Sequence, residues 1–380
     1  MRVEAPVPAE ALAAIRAPFE AMRATPIDPP ILQPLSLILD LAGEVMRERL
    51  FVVQAEGGEE AVLRPDFTIP AVRAHIDSRR KGGRYVYEGK AFRAAPAGRE
   101  ASEEFLQLGL EVFEAGDAPH ADGEIAGLAW RSAVAGGRED LVLILGDVAL
   151  FGAFIDSLAL AEPLAARIKR AFSNPRRLRQ VLEPVGDGGG PPQPASGERL
   201  ARVLSSLPEP EAAAVLQDLW ALAGIEPAGG RSAAEIVHRL AQRSIAARAP
   251  ELTADQAAQI SRYLAISHTP AAALEAIARL AGPDGKRLRT ALTNWERRLR
   301  ALEDEGAPTD RMLLSTGFGR SFDYYDGMLF EVRSAALGEM RPVAAGGRYD
   351  SLPARLGATL ATGAVGCMVR PGRAWREGRE

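Results

Sequence analysis

Residues 84–114 constrain the fold of this chain more than any other stretch of the sequence. They read RYVYEGKAFRAAPAGREASEEFLQLGLEVFE, with two apolar-rich runs, 84–92 and 105–113, on either side of a loop rich in Pro, Gly and Arg. This pattern predicts a long antiparallel hairpin with Arg93 at its mouth. Strands joined as hairpins, with helices packed on one face, indicate an α+β domain around an antiparallel sheet.

One strand of the predicted hairpin carries polar groups at alternate positions. Gln107, Gly109 and Glu111 alternate with apolar residues, so they share one face of the strand. If that face is buried, its polar groups need partners within the protein or from a ligand. If it is solvated, they need neither. This strand alone leaves both interpretations open.

Composition changes along the chain and predicts two regions. Residues 1–150 and 305–375 mix short strands with helices, and we expect them to form one discontinuous domain. Residues 151–304 are dominated by Ala, Leu, Arg and Glu at helical spacing, which predicts a mainly helical insertion with a flexible linker at 186–197. A length of 380 residues, with 47% hydrophobic and 25% charged residues, is enough to bury a core in each region.

Composition also limits the chemistry that we expect. Cys367 is the single cysteine, so a disulfide within the chain is impossible, which fits a reducing cytoplasm. The four histidines have no metal-ligand spacing, and we expect neither a metal nor a cofactor. A net charge of −4 without a dense Lys/Arg tract argues against a tRNA phosphate track. No apolar run approaches the roughly 20 residues needed to span a membrane, so we expect a cytoplasmic protein.

Three further segments carry a resemblance to a known family. They are LRPDFTIPAVR at 63–73, TGFGRSFDYYDGMLFEV at 316–332 and AAGGRYDSLPARLGATLATGAVGCMV at 344–369. Together with the hairpin, these ordered motifs resemble class II aminoacyl-tRNA synthetase catalytic domains, and specifically histidyl-tRNA synthetases. The resemblance covers residues 1–150 and 310–370 and implies the class II antiparallel sheet flanked by helices.

The segment 30–54 resembles the first motif of that family, a helix and strand used for dimerisation. The resemblance therefore implies a homodimer. Five apolar residues of the segment are expected at the two-fold interface: Ile31, Leu32, Leu35, Ile38 and Leu39.

The end of the sequence sets this chain apart from histidyl-tRNA synthetases. The chain as given ends at Glu380, and we expect no anticodon-binding domain of the kind that follows in that family. A shortened chain of this kind resembles the family of ATP phosphoribosyltransferase regulatory subunits. The resemblance implies a short-form catalytic subunit as partner, histidine as allosteric ligand and a homodimer within a hetero-oligomer, without tRNA.

The resemblance also implies a pocket for histidine. Free histidine presents an ammonium, a carboxylate and an imidazole, each of which needs a hydrogen-bonding partner. In this pocket Asp66 and Gln107 would hold the ammonium, and Glu111 with two tyrosines would hold the imidazole. Asp66 departs from the family, which usually has Glu there. The six residues that the resemblance assigns to the pocket are Asp66, Thr68, Gln107, Glu111, Tyr325 and Tyr349.

Each of these residues also has a purely structural interpretation. Asp66 could cap the helix that follows it. The pair Gly346 and Gly347 could mark only a tight turn. Tyr325 and Tyr349 could be core residues with satisfied hydroxyls.

The nucleotide half of the site is expected to be vestigial. Arg93 and Arg320 match two arginines that assist adenylate formation in the family, where cations offset developing charge. The hairpin tip at 94–104, however, is acidic, which is unfavourable beside a triphosphate. The third motif continues as Arg370-Pro371-Gly372-Arg373; Pro and Gly are poor helix-interior residues, so it stays open whether Arg373 reaches the position of the family's ATP-binding arginine.

Three functions follow from these expectations. The first is a regulatory subunit, without catalytic residues of its own, that acts with the catalytic subunit in the first step of histidine biosynthesis and in its feedback inhibition by histidine. The second is a truncated histidine-activating ligase that forms histidyl-adenylate. The third is a dimeric scaffold with an empty pocket, which would bind no histidine.

Overall fold

The computed structural model describes most of the chain. The described residues are 2–42, 44–54, 58, 60–95, 101–114, 116–182, 203–204, 207–223, 232–234, 236–237, 252–282, 285–319, 324–359 and 363–377. The predicted linker at 186–197, residues 96–100 of the hairpin tip and the candidate Arg320 lie outside them.

The larger of the two sheets in the described ranges has nine strands. Along the sheet the order is β1-β5-β6-β12-β11-β10-β7-β9-β8. Neighbouring strands are antiparallel except for β1 with β5 and β7 with β9, so the sheet is predominantly antiparallel and the predicted α+β class is confirmed. Its strands are β1 Thr25–Pro26, β5 Gly83–Phe92, β6 Glu104–Phe113, β7 Leu141–Asp147, β8 Ser267–His268, β9 Met312–Ser315, β10 Met328–Ser334, β11 Ala344–Arg348 and β12 Ala364–Val369.

The predicted hairpin is formed by β5 and β6. The two strands pair over their whole length, from Gly83 opposite Phe113 to Phe92 opposite Glu104. Gln107 and Glu111 are each only 1% exposed, so the interpretation of this face as a solvated sheet surface is wrong. The face is covered by the loop that leads into helix α3, Thr68–Ser78. Phe67, the last residue of this loop, stacks on Tyr87 at a ring separation of 4.3 Å.

The helices that pack on the sheet fix the end of β11. Helix α4, Ala118–Ala135, lies against the sheet. Helix α1, Ala9–Ala21, and the long helix α11, Lys286–Asp304, pack on α4. Asp122 of α4 is buried and accepts from two arginines, Arg348 Nε of β11 and Arg298 Nε of α11, each at 2.7 Å. A buried carboxylate held by two guanidinium groups satisfies its lone pairs. The residue after Arg348 is Tyr349, so this network positions a candidate site residue.

The first-motif segment folds into a second, smaller sheet with the order β2-β4-β3. Its strands are β2 Leu32–Pro34, β3 Val52–Gln54 and β4 Glu60–Leu63, and helix α2, Leu35–Ala42, follows β2 and is succeeded by a 3-10 turn at Glu44–Arg49. Leu35, Ile38 and Leu39 are buried in the core of this same chain, so their predicted place at a two-fold interface is wrong. The exposed apolar residues of the segment are Ile31, Leu32, Val52 and Val53.

The chain divides into two compact units, residues 1–158 with 262–380, and residues 159–261. The first contains both sheets, helix α5, Val148–Ser157, helix α10, Pro270–Arg279, and α11. The second contains α6 Glu162–Ala171, α7 Pro175–Leu182, α8 Glu209–Ala223 and most of α9 Ala254–Leu264. The predicted helical region 151–304 is thus shared between the two units. None of the helices in the described ranges is long and apolar enough to cross a membrane.

Candidate functional site

A buried carboxylate lies at the centre of the candidate site. Glu111 Oε1 accepts hydrogen bonds from Thr68 Oγ1 at 2.9 Å and from Tyr87 Oη at 3.2 Å. Glu111 Oε2 accepts a short hydrogen bond from Tyr349 Oη. Among the residues that the structure describes, Glu111 forms no ion pair with a basic side chain. Three hydroxyl donors therefore stabilise a carboxylate that no basic side chain of the described ranges neutralises.

The position of Glu111 changes its acidity. Burial, and to a smaller extent the nearby negative charge of Asp66, raise the pKa of Glu111 from its ordinary value to a net value of about 7. The hydrogen bonds from Tyr349, Thr68 and Tyr87 act in the opposite direction. A carboxylate balanced in this way is poised to pair with a cationic or N–H-bearing ligand near neutral pH.

Glycines on neighbouring strands make room for this cluster. Gly366 of β12 pairs with Glu111, and a Cβ atom at Gly366 would overlap the Glu111 carboxylate. Gly109 of β6 pairs with Tyr87, and a Cβ there would overlap the Tyr87 hydroxyl. The polar cluster exists because these two positions lack side chains.

Gln107 and Asp66 form the second end of the cluster. Gln107 Nε2 donates to Tyr87 Oη at 3.4 Å, while its buried Oε1 makes no hydrogen bond with any residue in the described ranges. Asp66 is only 4% exposed and precedes α3. The N-cap residue of α3 is Phe67, which makes no side-chain capping hydrogen bond, so Asp66 does not occupy the capping position. An open acceptor beside a buried acid suits an ammonium group.

The two remaining predicted residues are tyrosines. Tyr349 is 1% exposed and binds Glu111 directly. Tyr325 is half-buried, and its ring lies 6.3 Å from the Tyr349 ring and inclined at 70° to it. Its ring also lies over Gly347, where a Cβ would contact it at 2.9 Å. Gly346 and Gly347 are inside strand β11, so the structure corrects their interpretation as a tight turn.

The structure therefore brings the predicted pocket residues together in two ways. Thr68, Gln107, Glu111 and Tyr349 share one hydrogen-bonded cluster, whereas Asp66 acts on it through charge and Tyr325 through ring contact. Tyr87 belongs to the cluster but was not among the predicted residues. The sequence does contain a signal for Tyr87, because the register of the predicted hairpin places Tyr87 opposite Gly109, on the polar face.

An arginine-rich pocket of about 280 Å³ lies beside this cluster. Phe105 lines it and sits on the same face of β6 as Gln107, two residues away. Arg93 Nε donates to Pro65 O at 2.7 Å, directly before Asp66. The five arginines that line the pocket are Arg49, Arg93, Arg333, Arg370 and Arg373.

Two arginines from the end of the third motif reach this pocket. Pro371 occupies the first turn of a short helix, α12, Pro371–Ala374, as a proline can, and Arg373 lines the same pocket as Arg93. Arg370 pairs with the buried Glu4 at 2.9 Å and lies 3.8 Å over the Phe105 ring. The lining also includes Glu331 and Glu339, which leaves cationic side chains in excess. Within the described residues, no group of three or more His, Cys, Asp or Glu side chains could hold a metal ion.

The class of protein follows from the fold, the site and a family comparison together. Residues 12–186 and 211–370 match the family model described as histidyl-tRNA synthetase, so the chain belongs to the histidyl-tRNA synthetase family. Two relatives named ATP phosphoribosyltransferase regulatory subunit narrow the assignment within this family. One, from Brucella anthropi, is 33% identical over 93% of both chains. Another, from Mesorhizobium japonicum, is 36% identical over 92% of both. Within that class, the chain belongs to the ATP phosphoribosyltransferase regulatory subunits.

Solved structures support the same fold. An ATP phosphoribosyltransferase regulatory subunit/histidyl-tRNA synthetase from Bacillus halodurans aligns with a TM-score of 0.65 and 19% identity, covering 100% of this chain and 82% of its own. A histidine–tRNA ligase subunit from Alicyclobacillus acidocaldarius aligns with a TM-score of 0.56 and 19% identity, covering 99% and 97%. At these identities the comparison concerns the fold alone.

Proposed function

We propose that this chain binds free histidine in the Glu111 cluster and thereby regulates a short-form ATP phosphoribosyltransferase catalytic subunit. The observation that carries the proposal is the buried Glu111 carboxylate, which receives three hydroxyl hydrogen bonds and pairs with no cation in the described chain. An imidazole donating an N–H to Glu111 would supply a ligand donor for this carboxylate. Gln107 Oε1 and Asp66 would receive the ammonium at the other end.

Such a pocket discriminates well between histidine and its analogues. A ligand without a ring N–H would leave Glu111 buried and unpaired, and sites of this kind reject such ligands strongly. Because the residues of the cluster are almost fully buried, ligand entry requires neighbouring groups to move. A binding event coupled to movement is what a regulatory subunit needs.

Regulation then becomes a coupling free energy between two sites. Histidine inhibits the complex if it binds the inactive arrangement better than the active one, typically by about 1–3 kcal/mol. The partner would carry the catalytic residues for ATP and phosphoribosyl pyrophosphate. This chain would contribute none, and it would act as a homodimer within the hetero-oligomer.

A second candidate function has one observation in its favour. The arginine-rich pocket, which keeps Arg93 and Arg373 beside the polar cluster, is the kind of site that could hold phosphates for histidyl-adenylate formation. Each of its five arginines already has a contact within the chain. Arg370 and Arg333 pair with Glu4 and Glu331, and the other three donate to backbone carbonyls, Arg49 to Ala94 O, Arg93 to Pro65 O and Arg373 to Pro342 O. We therefore place the truncated ligase second.

One experiment separates the two functions. The purified chain is assayed for histidine-dependent ATP–pyrophosphate exchange at saturating histidine and magnesium-ATP. It is also added to a short-form ATP phosphoribosyltransferase catalytic subunit with and without histidine. We expect no exchange above background, a rise in the activity of the catalytic subunit and its inhibition by histidine. Robust exchange with no effect on the catalytic subunit would overturn the regulatory function and favour the ligase.

A further inference from the structure

One hydroxyl group touches both ends of the polar cluster. Tyr87 Oη accepts from Gln107 Nε2 at 3.4 Å and donates to Glu111 Oε1 at 3.2 Å. A hydroxyl has a single proton to donate. Since Tyr87 gives that proton to the carboxylate, its lone pairs face the amide, and the chain of donors runs from Gln107 through Tyr87 to Glu111.

The direction of this chain decides what Gln107 offers to a ligand. An amide has one acceptor oxygen and one donor nitrogen. With Nε2 turned toward Tyr87, the oxygen Oε1 remains as the open group, without a hydrogen bond in the described part of the chain. An open oxygen attracts an ammonium group, whereas an open NH₂ would repel it.

The Tyr87 hydroxyl is held firmly in this position. The ring stacks on Phe67 with a separation of 4.3 Å and an angle of 1° between the planes. The Arg64 guanidinium lies 3.9 Å from the centre of the Phe67 ring on which Tyr87 stacks. The hydroxyl passes over Gly109, where any side chain would displace it. Packing on a fixed aromatic neighbour keeps a hydrogen-bonding group in place at little entropic cost.

We propose that Tyr87 is the positioning residue that makes the pocket select a ligand carrying both an ammonium and an imidazole N–H. Its hydroxyl turns the Gln107 oxygen toward the ammonium and supports the Glu111 carboxylate that faces the ring. One side chain therefore contributes to recognition of both ends of the ligand. This inference rests on the proposed histidine binding and adds the residue that sets its specificity.

The test compares two ligands on the full-length chain by calorimetry. One is L-histidine, and the other is 3-(imidazol-4-yl)propanoate, which is histidine without its ammonium group. The ratio of the two affinities measures how strongly the ammonium is recognised. A merely structural role of Tyr87 would weaken both ligands alike and leave this ratio unchanged.

Tyr87→Phe removes only the hydroxyl. We expect the histidine affinity to fall about tenfold or more, since the hydroxyl's hydrogen bonds to the Glu111 carboxylate and from the Gln107 amide are both lost. We also expect the preference for histidine over the propanoate to shrink roughly threefold to tenfold. Tyr85→Phe is the matched control, because Tyr85 is buried on the same strand and its hydroxyl contacts His75 at 3.1 Å instead. The control should keep the wild-type ratio.

A second variant keeps the inference testable if Tyr87→Phe does not fold. Gln107→Met removes the amide that turns the Tyr87 hydroxyl toward Glu111. It should weaken the propanoate roughly threefold, although that ligand has no ammonium for Gln107 to bind. An unchanged affinity ratio in Tyr87→Phe would overturn the role of Tyr87. If Tyr87→Phe does not fold, an unchanged propanoate affinity in Gln107→Met would overturn it instead. Neither result would contradict histidine binding itself. Failure of the wild-type chain to bind histidine overturns both.

Discussion

At the scale of single residues, Glu111 carries an electrostatic conflict. It is buried, it lies near the charge of Asp66, and its pKa is raised to about 7. The hydrogen bonds from hydroxyl groups reduce the free energy cost of burying this charge but do not eliminate that cost. A ligand that supplies a positive group or an N–H donor would remove the conflict, so the residue that destabilises the empty protein is the one that we propose for ligand recognition.

The first prediction concerns Glu111→Gln. The amide keeps the volume of the side chain but cannot hold a negative charge against an imidazole. We expect histidine affinity to fall by roughly tenfold or more, which corresponds to about 1–3 kcal/mol for a charged hydrogen bond lost in a buried site. Calorimetry measures the effect, and Glu88→Gln, at a surface ion pair with Arg16, is the control that should bind normally. Unchanged inhibition by histidine in Glu111→Gln would place the sensor elsewhere.

The second prediction concerns pH. Because the pKa of Glu111 is raised in the folded chain, the folded state holds a proton that the unfolded state releases. Stability gained from this group is present at pH below the ordinary pKa of Glu and is lost as pH rises toward 7. The groups that face the carboxylate are Asp66, Thr68, Tyr87, Tyr349 and Cys367.

Without ligand, the wild-type chain should therefore lose stability relative to Glu111→Gln between about pH 4.5 and pH 8. Urea unfolding of both proteins across that range measures the difference. Saturating histidine should reduce the loss, because the bound ligand compensates the charge. A difference that does not change with pH would mean that Glu111 titrates as an ordinary carboxyl group.

At the scale of elements, the site is built by strands that meet from distant parts of the sequence. The hairpin and its polar face could be predicted because strand alternation and turn residues are local signals. The contact between Tyr349 and Glu111 joins residues 238 positions apart, and it could be expected only through the family resemblance. No local signal distinguishes Leu35, buried in this chain's own core, from Leu32, which is exposed, because burial depends on which elements pack together.

The third prediction tests the glycines that make room for the cluster. Gly366→Ala would place a methyl group against the Glu111 carboxylate, and overpacking of this kind typically costs about 1–3 kcal/mol. We expect lower stability in urea and no measurable histidine binding. Gly152→Ala is the control, because nothing lies within 4 Å of a Cβ there in helix α5. It should be neutral or stabilising by about 0.5–1 kcal/mol. Normal histidine binding by Gly366→Ala would argue against a ligand beside Glu111.

At the scale of the whole molecule, the first-motif sheet leaves apolar side chains in solvent. Ile31, Leu32, Val52 and Val53 are 46%, 52%, 45% and 38% exposed. Leu32 pairs with Leu63 and Val53 pairs with Ala61, so Leu32 and Val53 lie on the same face of the small sheet. Apolar side chains that cluster on one exposed face are typical of an interface.

The last prediction is that the isolated chain is a homodimer through this face, as the family resemblance implies. Two copies related by a two-fold axis would bury the same residues on each subunit. A pair of substitutions in the chain therefore changes both sides of the interface. Leu32→Glu combined with Val53→Glu should give a folded monomer, because it places four buried negative charges at the interface of a dimer. Met340→Glu, at a residue that is 74% exposed elsewhere, should stay dimeric. Light scattering at micromolar concentration reads out all three proteins. A monomeric wild-type chain would contradict the prediction, and a dimeric double variant would move the interface to another surface.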